Sequence, residues 1–95
     1  MITPTVGRKV WYRPNAYDKL GPGGMQAYGE QPCDATIVAV HSNALVNLAI
    51  FDHNGNLHKR TSVTLLQDDA KANEGASYAE WMPYQTTQAA KHAAE

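Results

Sequence analysis

The sequence has a single cysteine, Cys33, so it forms no internal disulfide and no cysteine-rich zinc site. Charged residues fill only 18% of its 95 positions, below the roughly 25% of an average domain, and the net charge is −1. That near-neutrality leaves no strong global field to draw the chain to nucleic acid or to a membrane. Long apolar runs are missing as well. The longest, Ala44 to Phe51, is interrupted by Asn47 and falls far short of the roughly 20 residues of a membrane helix. The opening Met1–Gly7 has neither the basic nor the apolar segment of a secretion signal, which with the lone thiol predicts a cytoplasmic protein. The apolar share, 43%, argues against a disordered chain, and the length suits one core.

The alternation in Val6–Arg13 (VGRKVWYR) predicts a strand, with Val6, Arg8, Val10 and Tyr12 on one face and Gly7, Lys9, Trp11 and Arg13 on the other. Pro14-Asn15 stops it. Residues 14 to 33 then form a long excursion containing Gly21-Pro22-Gly23-Gly24, which reads as a flexible hairpin arm. Ala35–His41 and Leu45–Asp52 are β-branched and apolar, and the three residues between them suit a hairpin. Val46, Leu48 and Ile50 make the core face of the second of these strands. On the first, Ile37 and His41 share one face and Val38 and Val40 the other. With apolar groups on both faces, the pair reads as central in a sheet. His53-Asn54-Gly55-Asn56 supplies an Asn-Gly turn into a returning strand, Leu57–Leu66, whose charged start and apolar end predict a bend toward another part of the sheet.

A polar stretch, 70–77, leads to Tyr78–Gln85 (YAEWMPYQ), an aromatic segment expected to fold back and close the sheet. Pro83 keeps it out of a helix interior. These elements predict an all-β domain over residues 1–85: a small Src-homology-3-like or Tudor-like barrel of about five strands with a long first loop. Residues 86–95 are alanine-rich and form a C-terminal tail, frayed or a short helix, too short for independent helicity.

Charge is unevenly spread: net +2 over residues 1–33, zero over 34–67 and −3 over 68–95. Asp52, His53 and His58 flank one turn and are the residue types of a zinc site, but turn polarity accounts for them without a metal. Ser62 and Cys33 lack a nucleophile signature, and Asp34 beside Cys33 disfavours its thiolate. The arm is followed by no Gly-Lys-Ser/Thr, so it is no P-loop. These readings predict a protein that is not an enzyme and uses no metal or cofactor.

Three binding readings remain. In one, the arm serves as a lid over a small anionic ligand, with Arg8, Lys9 or Arg13 supplying charge. Arg8, Lys9, Trp11, Tyr12 and Arg13 interleave cations with aromatics, the pairing that binds nucleic acid by backbone contact and base stacking. An acidic pI of about 6.4 opposes that reading, and the strand period offers the plainer one, in which Val10 and Tyr12 are core and the charges are solvated. Finally, Trp11, Trp81, Met82 and Tyr84 exceed what so small a core can hold, which points to an interface with another protein or a second copy. Trp81 alone also reads as a plug or edge cover of the barrel.

Val6-Gly7-Arg8-Lys9-Val10-Trp11-Tyr12, Ala35-Thr36-Ile37-Val38, Val46-Asn47-Leu48, Phe51-Asp52-His53-Asn54-Gly55, Arg60-Thr61-Ser62-Val63 and Trp81-Met82-Pro83-Tyr84-Gln85 together span most of residues 4–85. In these segments the chain resembles an uncharacterised family of small proteins of tailed bacteriophages and prophages. The resemblance implies a phage origin and a small barrel, and it carries no catalytic residues. The expectation is a non-enzymatic phage accessory protein that binds a protein partner or itself through Arg8, Trp11, Tyr12, Arg13, Trp81 and Tyr84. The alternatives are sequestration of a nucleotide-like ligand, which would counter host defence, and nucleic-acid binding. No membrane partner is expected.

Overall fold

A computed structural model describes residues 1–93. Its elements are β1 (Lys9–Arg13), a 3-10 turn (Tyr17–Lys19), β2 (Cys33–Ser42), β3 (Leu45–Phe51), β4 (Leu57–Leu66), β5 (Tyr78–Glu80) and α1 (Pro83–Ala93). The five strands close into a barrel in chain order. Neighbours are antiparallel except β4 and β5, which run parallel where Leu65 meets Ala79. Among the described residues no helix is long and apolar enough to cross a membrane.

The interior follows the two-residue period of the strands. Val10 and Tyr12 from β1, Ala35 and Ile37 from β2, Val46, Leu48 and Ile50 from β3, and Val63 and Leu65 from β4 are all buried. Fully burying an aliphatic side chain contributes about 1.5–3 kcal/mol, so this ring of alternating positions is what holds the barrel closed. Closure leaves no sheet edge in the ladder, and it gives each strand one inner and one outer face. Val38, 50% exposed, therefore belongs to the outer surface and makes no second core, while Val40, 39% exposed, lies across from the core residue Val46. A bulge between Ile37 and Ala39 shifts the register, so His41 is exposed although Ile37 is buried.

Three expected elements are revised. The first strand begins at Lys9 and not at Val6, because Gly7, at φ +91°, turns the chain where Arg8 N–H donates to the Thr5 carbonyl at 3.2 Å. The closing strand is only Tyr78–Glu80; Pro83, inside the segment expected to close the barrel, instead opens α1. That position suits proline, whose missing N–H has no helical partner to lose there. Helix α1 covers most of the expected tail, and its Ala89 packs against the core; positions 94 and 95 of that tail lie outside the described residues.

The arm is the third revision. It is no free hairpin: Met25 is 1% exposed and belongs to the core cluster. Two carboxylates tie the arm to the barrel. Asp18 accepts from Tyr12 Oη at 2.7 Å, Arg60 Nε at 2.8 Å and Asn15 N–H at 3.0 Å. Asp52 accepts from the Gln26 N–H of the arm at 3.2 Å. Gly24 permits the arm's tight fold, since a Cβ there would stand 2.5 Å from the Lys19 carbonyl oxygen.

The bend in β4 also has an identifiable hinge. Ser62 sits at φ +53° in a bulge of β4, where Thr61 and Ser62 together oppose Asn47, and its N–H donates to Asn47 Oδ1 at 2.8 Å. The His41 Nε2–H donates to the same oxygen at 2.9 Å, so Asn47 ties β2, β3 and β4 together. A left-handed conformation costs a non-glycine residue about 1–2 kcal/mol. Ser62→Gly is therefore expected to stabilise the barrel by about 0.5–1 kcal/mol after the added unfolded-state freedom of glycine is subtracted. Thermal unfolding followed by circular dichroism checks it; an unchanged or lower Tm would count against strain at this hinge.

Candidate functional site

The outward face of the barrel is built by the residues between the core positions. Burying Val10 and Tyr12 turns Lys9, Trp11 and Arg13 outward on β1, and burying Ile50 turns Phe51 outward on β3. Strand register then aligns them: Trp11 pairs with Asp34, Asp34 with Phe51, and Phe51 with Leu57, while Glu80 flanks Trp11 on the other side. Directly opposed residues share a face, so this is one continuous row across all five strands. Phe51 is 41% and Leu57 64% exposed, and Trp11 is half-buried.

The cations of this face are tied into the row. Lys9 Nζ lies 3.1 Å from Asp34 and 5.9 Å from the Phe51 ring centre. Arg13 Nε lies 3.2 Å from Glu80, and its guanidinium is 5.6 Å from the Trp11 ring centre. Each cation thus stands over an aromatic ring while a carboxylate of the same row neutralises it. The arm leaves β1 at Pro14 and returns to β2 at Cys33, so it caps the barrel at the end where this row lies. It adds exposed Tyr17, Leu20 and Tyr28 to that end.

Six residues were expected to bind, and the fold sorts them. Trp11 and Arg13 meet on the outer row. Tyr12 is removed from the surface: it is fully buried, because the strand period that exposes Trp11 and Arg13 must send it inward. Burial pushes its hydroxyl up to about 12, and that hydroxyl donates to Asp18. Trp81 is also buried, at 6% exposure, with its indole N–H donating to Gln67 Oε1 at 3.2 Å. Arg8 covers it, with the guanidinium 5.2 Å from the ring centre. Tyr84 is 72% exposed on the first turn of α1. Phe51, Leu57 and the arm aromatics were not among the expected residues. The parity of β3 already placed Phe51 outside, but only register brings it beside Trp11's row.

The turn histidines part company. His58 Nε2 donates to Asp52 Oδ2 at 2.9 Å. His53 serves the arm: its Nδ1 accepts from Tyr28 N–H at 2.7 Å and its Nε2 donates to the Pro32 carbonyl at 2.9 Å. Among the described residues no three His, Cys, Asp or Glu side chains form a group able to hold a metal ion. Burial opposes the charge on Asp52, but bonds from His58 and from the N–H groups of Gln26, Asn56 and Asn54 outweigh it and hold its carboxyl far below the usual range. Cys33 is buried, and both burial and the Asp52 charge push its thiol up, away from the reactive thiolate.

Beneath the arm lies a recess of about 300 Å³, reached by Arg13, Lys19 and Glu30. Arg13 is already engaged there, donating to the Glu30 carbonyl at 2.6 Å and to Glu80. A larger groove of about 690 Å³ lies between α1 and the β4–β5 end of the barrel. No protein-family model matches the chain, and neither the curated proteins nor the solved structures yield a significant match.

Proposed function

We propose that this chain is a non-enzymatic phage accessory protein, a small β-barrel binding module whose partner is a protein. The observation that carries the reading is the row Trp11–Asp34–Phe51–Leu57, which spreads aromatic and aliphatic surface across adjacent strands at the end that the arm caps. Tyr17, Leu20 and Tyr28 widen that surface. Aromatic residues and arginine are the types enriched in the cores of protein interfaces. The phage origin rests on the resemblance carried by the sequence segments.

The two alternatives draw less support. Nucleic acid is bound largely by unneutralised cations that displace counterions from phosphates, whereas Lys9 and Arg13 are paired with Asp34 and Glu80. A nucleotide-like ligand would have to use the recess under the arm, whose volume is at the lower limit of ligand pockets and whose Arg13 is engaged by Glu30 and Glu80.

The test places a photo-crosslinking phenylalanine analogue at position 57 and exposes the protein to an infected-cell lysate, with light scattering to follow self-association. One discrete adduct is expected from position 57 and none from position 43 at the opposite end of the barrel. The pair Trp11→Ser and Phe51→Ser should abolish it while leaving the fold intact. A strictly monomeric protein that crosslinks to nothing at position 57 would sink the proposal.

A further inference from the structure

The 690 Å³ groove between α1 and the β4–β5 end meets the outer row only at Glu80 and has a chemistry of its own. Buried Ile2 and Trp81 form its floor. Ala89 and Ala90 face it from α1, and side chains this small leave the space open. Its volume falls within the range of sites that take a ligand-sized group.

The charged side chains that line it are acidic. Asp68, Asp69 and Glu80 all line it, and the chain from residue 68 onward carries net −3. Asp68 meets the amino group of Met1 at 3.2 Å, and Glu80 meets Arg13 at 3.2 Å. Among the described residues Asp69 has no cationic partner. The barrel's own arginines show what these surfaces recognise: the Arg8 guanidinium stacks on Trp81, and Arg13 binds Glu80. Arg8 already covers the Trp81 ring, so an incoming arginine would lay its stem along the apolar lining and reach the carboxylate of Asp69 with its N–H groups.

We propose that this groove receives a short arginine-bearing segment of a partner protein, with the aliphatic stem of the arginine lying along Ile2, Trp81 and Ala89 and its guanidinium held by Asp69. The site does not depend on the outer row, so the two surfaces can succeed or fail separately.

The experiment uses an acetylated, amidated, fluorescein-labelled hexapeptide, Gly-Leu-Arg-Ala-Arg-Gly, and its twin with citrulline in place of both arginines. Anisotropy should report binding of the arginine peptide alone, and amide shifts should move at Asp69, Ala89 and Ala90. Losing one hydrogen bond to a charged group weakens binding about tenfold or more, so Asp69→Asn should show at least that loss. Ala90→Trp fills the groove from an exposed position without changing charge, and it should abolish binding. Trp11→Ser, on the outer row, should leave binding unchanged. Absence of binding to the natural chain would overturn the proposal, as would equal binding of the citrulline peptide or binding undiminished by Ala90→Trp. Peptide-independent self-association that Asp69→Asn abolishes would overturn it in favour of a second copy as occupant.

Discussion

Asp52→Asn is expected to cost the fold about 3 kcal/mol, a large share of the roughly 5–15 kcal/mol of a typical domain. The Asp52 side chain is wholly buried and its oxygens accept four bonds. Asn54 and Asn56 N–H groups meet Oδ1 at 3.0 and 2.9 Å; Gln26 N–H and His58 Nε2 meet Oδ2 at 3.2 and 2.9 Å. An asparagine keeps one acceptor and points an NH2 at two donors, so the β3–β4 turn and the arm lose their common anchor. Chemical denaturation should show a lower midpoint with little change in slope.

The same carboxylate sets an acid limit. Its folded pKa lies below the unfolded value, so the stability it contributes is complete above roughly pH 4 and is lost as the pH falls through the folded value. Asp18 acts in the same direction: burial opposes its charge, but bonds from Tyr12, Arg60 and Asn15 outweigh that and lower its pKa. The natural protein should therefore lose stability progressively below about pH 4, and Asp52→Asn should flatten that loss. A variant with unaltered acid sensitivity would show that Asp52 is not the linkage.

The second large effect is expected at Met25. Met25→Ala should cost about 2–4 kcal/mol, the range for emptying a fully buried methionine site. Had the arm been the free hairpin that its glycines suggested, the same change would be within about 0.5 kcal/mol, as at other exposed positions. The two outcomes differ enough for one urea titration to separate them. Hydrogen exchange adds a local reading: the Met25 N–H, which donates to the Asp18 carbonyl at 2.7 Å, should lose protection ahead of the β3 ladder.

Much of the barrel was legible because strand period is local. Val46, Leu48 and Ile50 alternate with more polar neighbours, and that alternation chooses their face without reference to any partner. The Asn54-Gly55 turn and the limits of β4, Leu57–Leu66, follow from residues at or beside the boundary. Tyr12 carries two readings in the sequence, a core position by its parity with Val10 and a place in the aromatic-and-cation motif, and its burial decides for the core. Pro83 was legible as a helix breaker, but its other role, opening a helix, depended on Ala89 finding the core.

What the sequence determined by itself is an all-β barrel, one small core in a near-neutral chain, and the inward face of β3, Val46, Leu48 and Ile50, since these depend on contacts a few residues long. Tertiary structure decided which outward residues become neighbours. Trp11 and Phe51 are forty positions apart, and only the register of β1, β2 and β3 sets them in one row. It also decided that the arm is no free hairpin, because Met25 is drawn into the barrel mouth by burial and the arm is fastened by Asp18 and Asp52. The lone Cys33, the rarest reactive residue of the chain, is placed inside by the same closure, with its thiol raised by burial. Such outcomes turn on which distant segments come to share a desolvated space, and no local pattern encodes that.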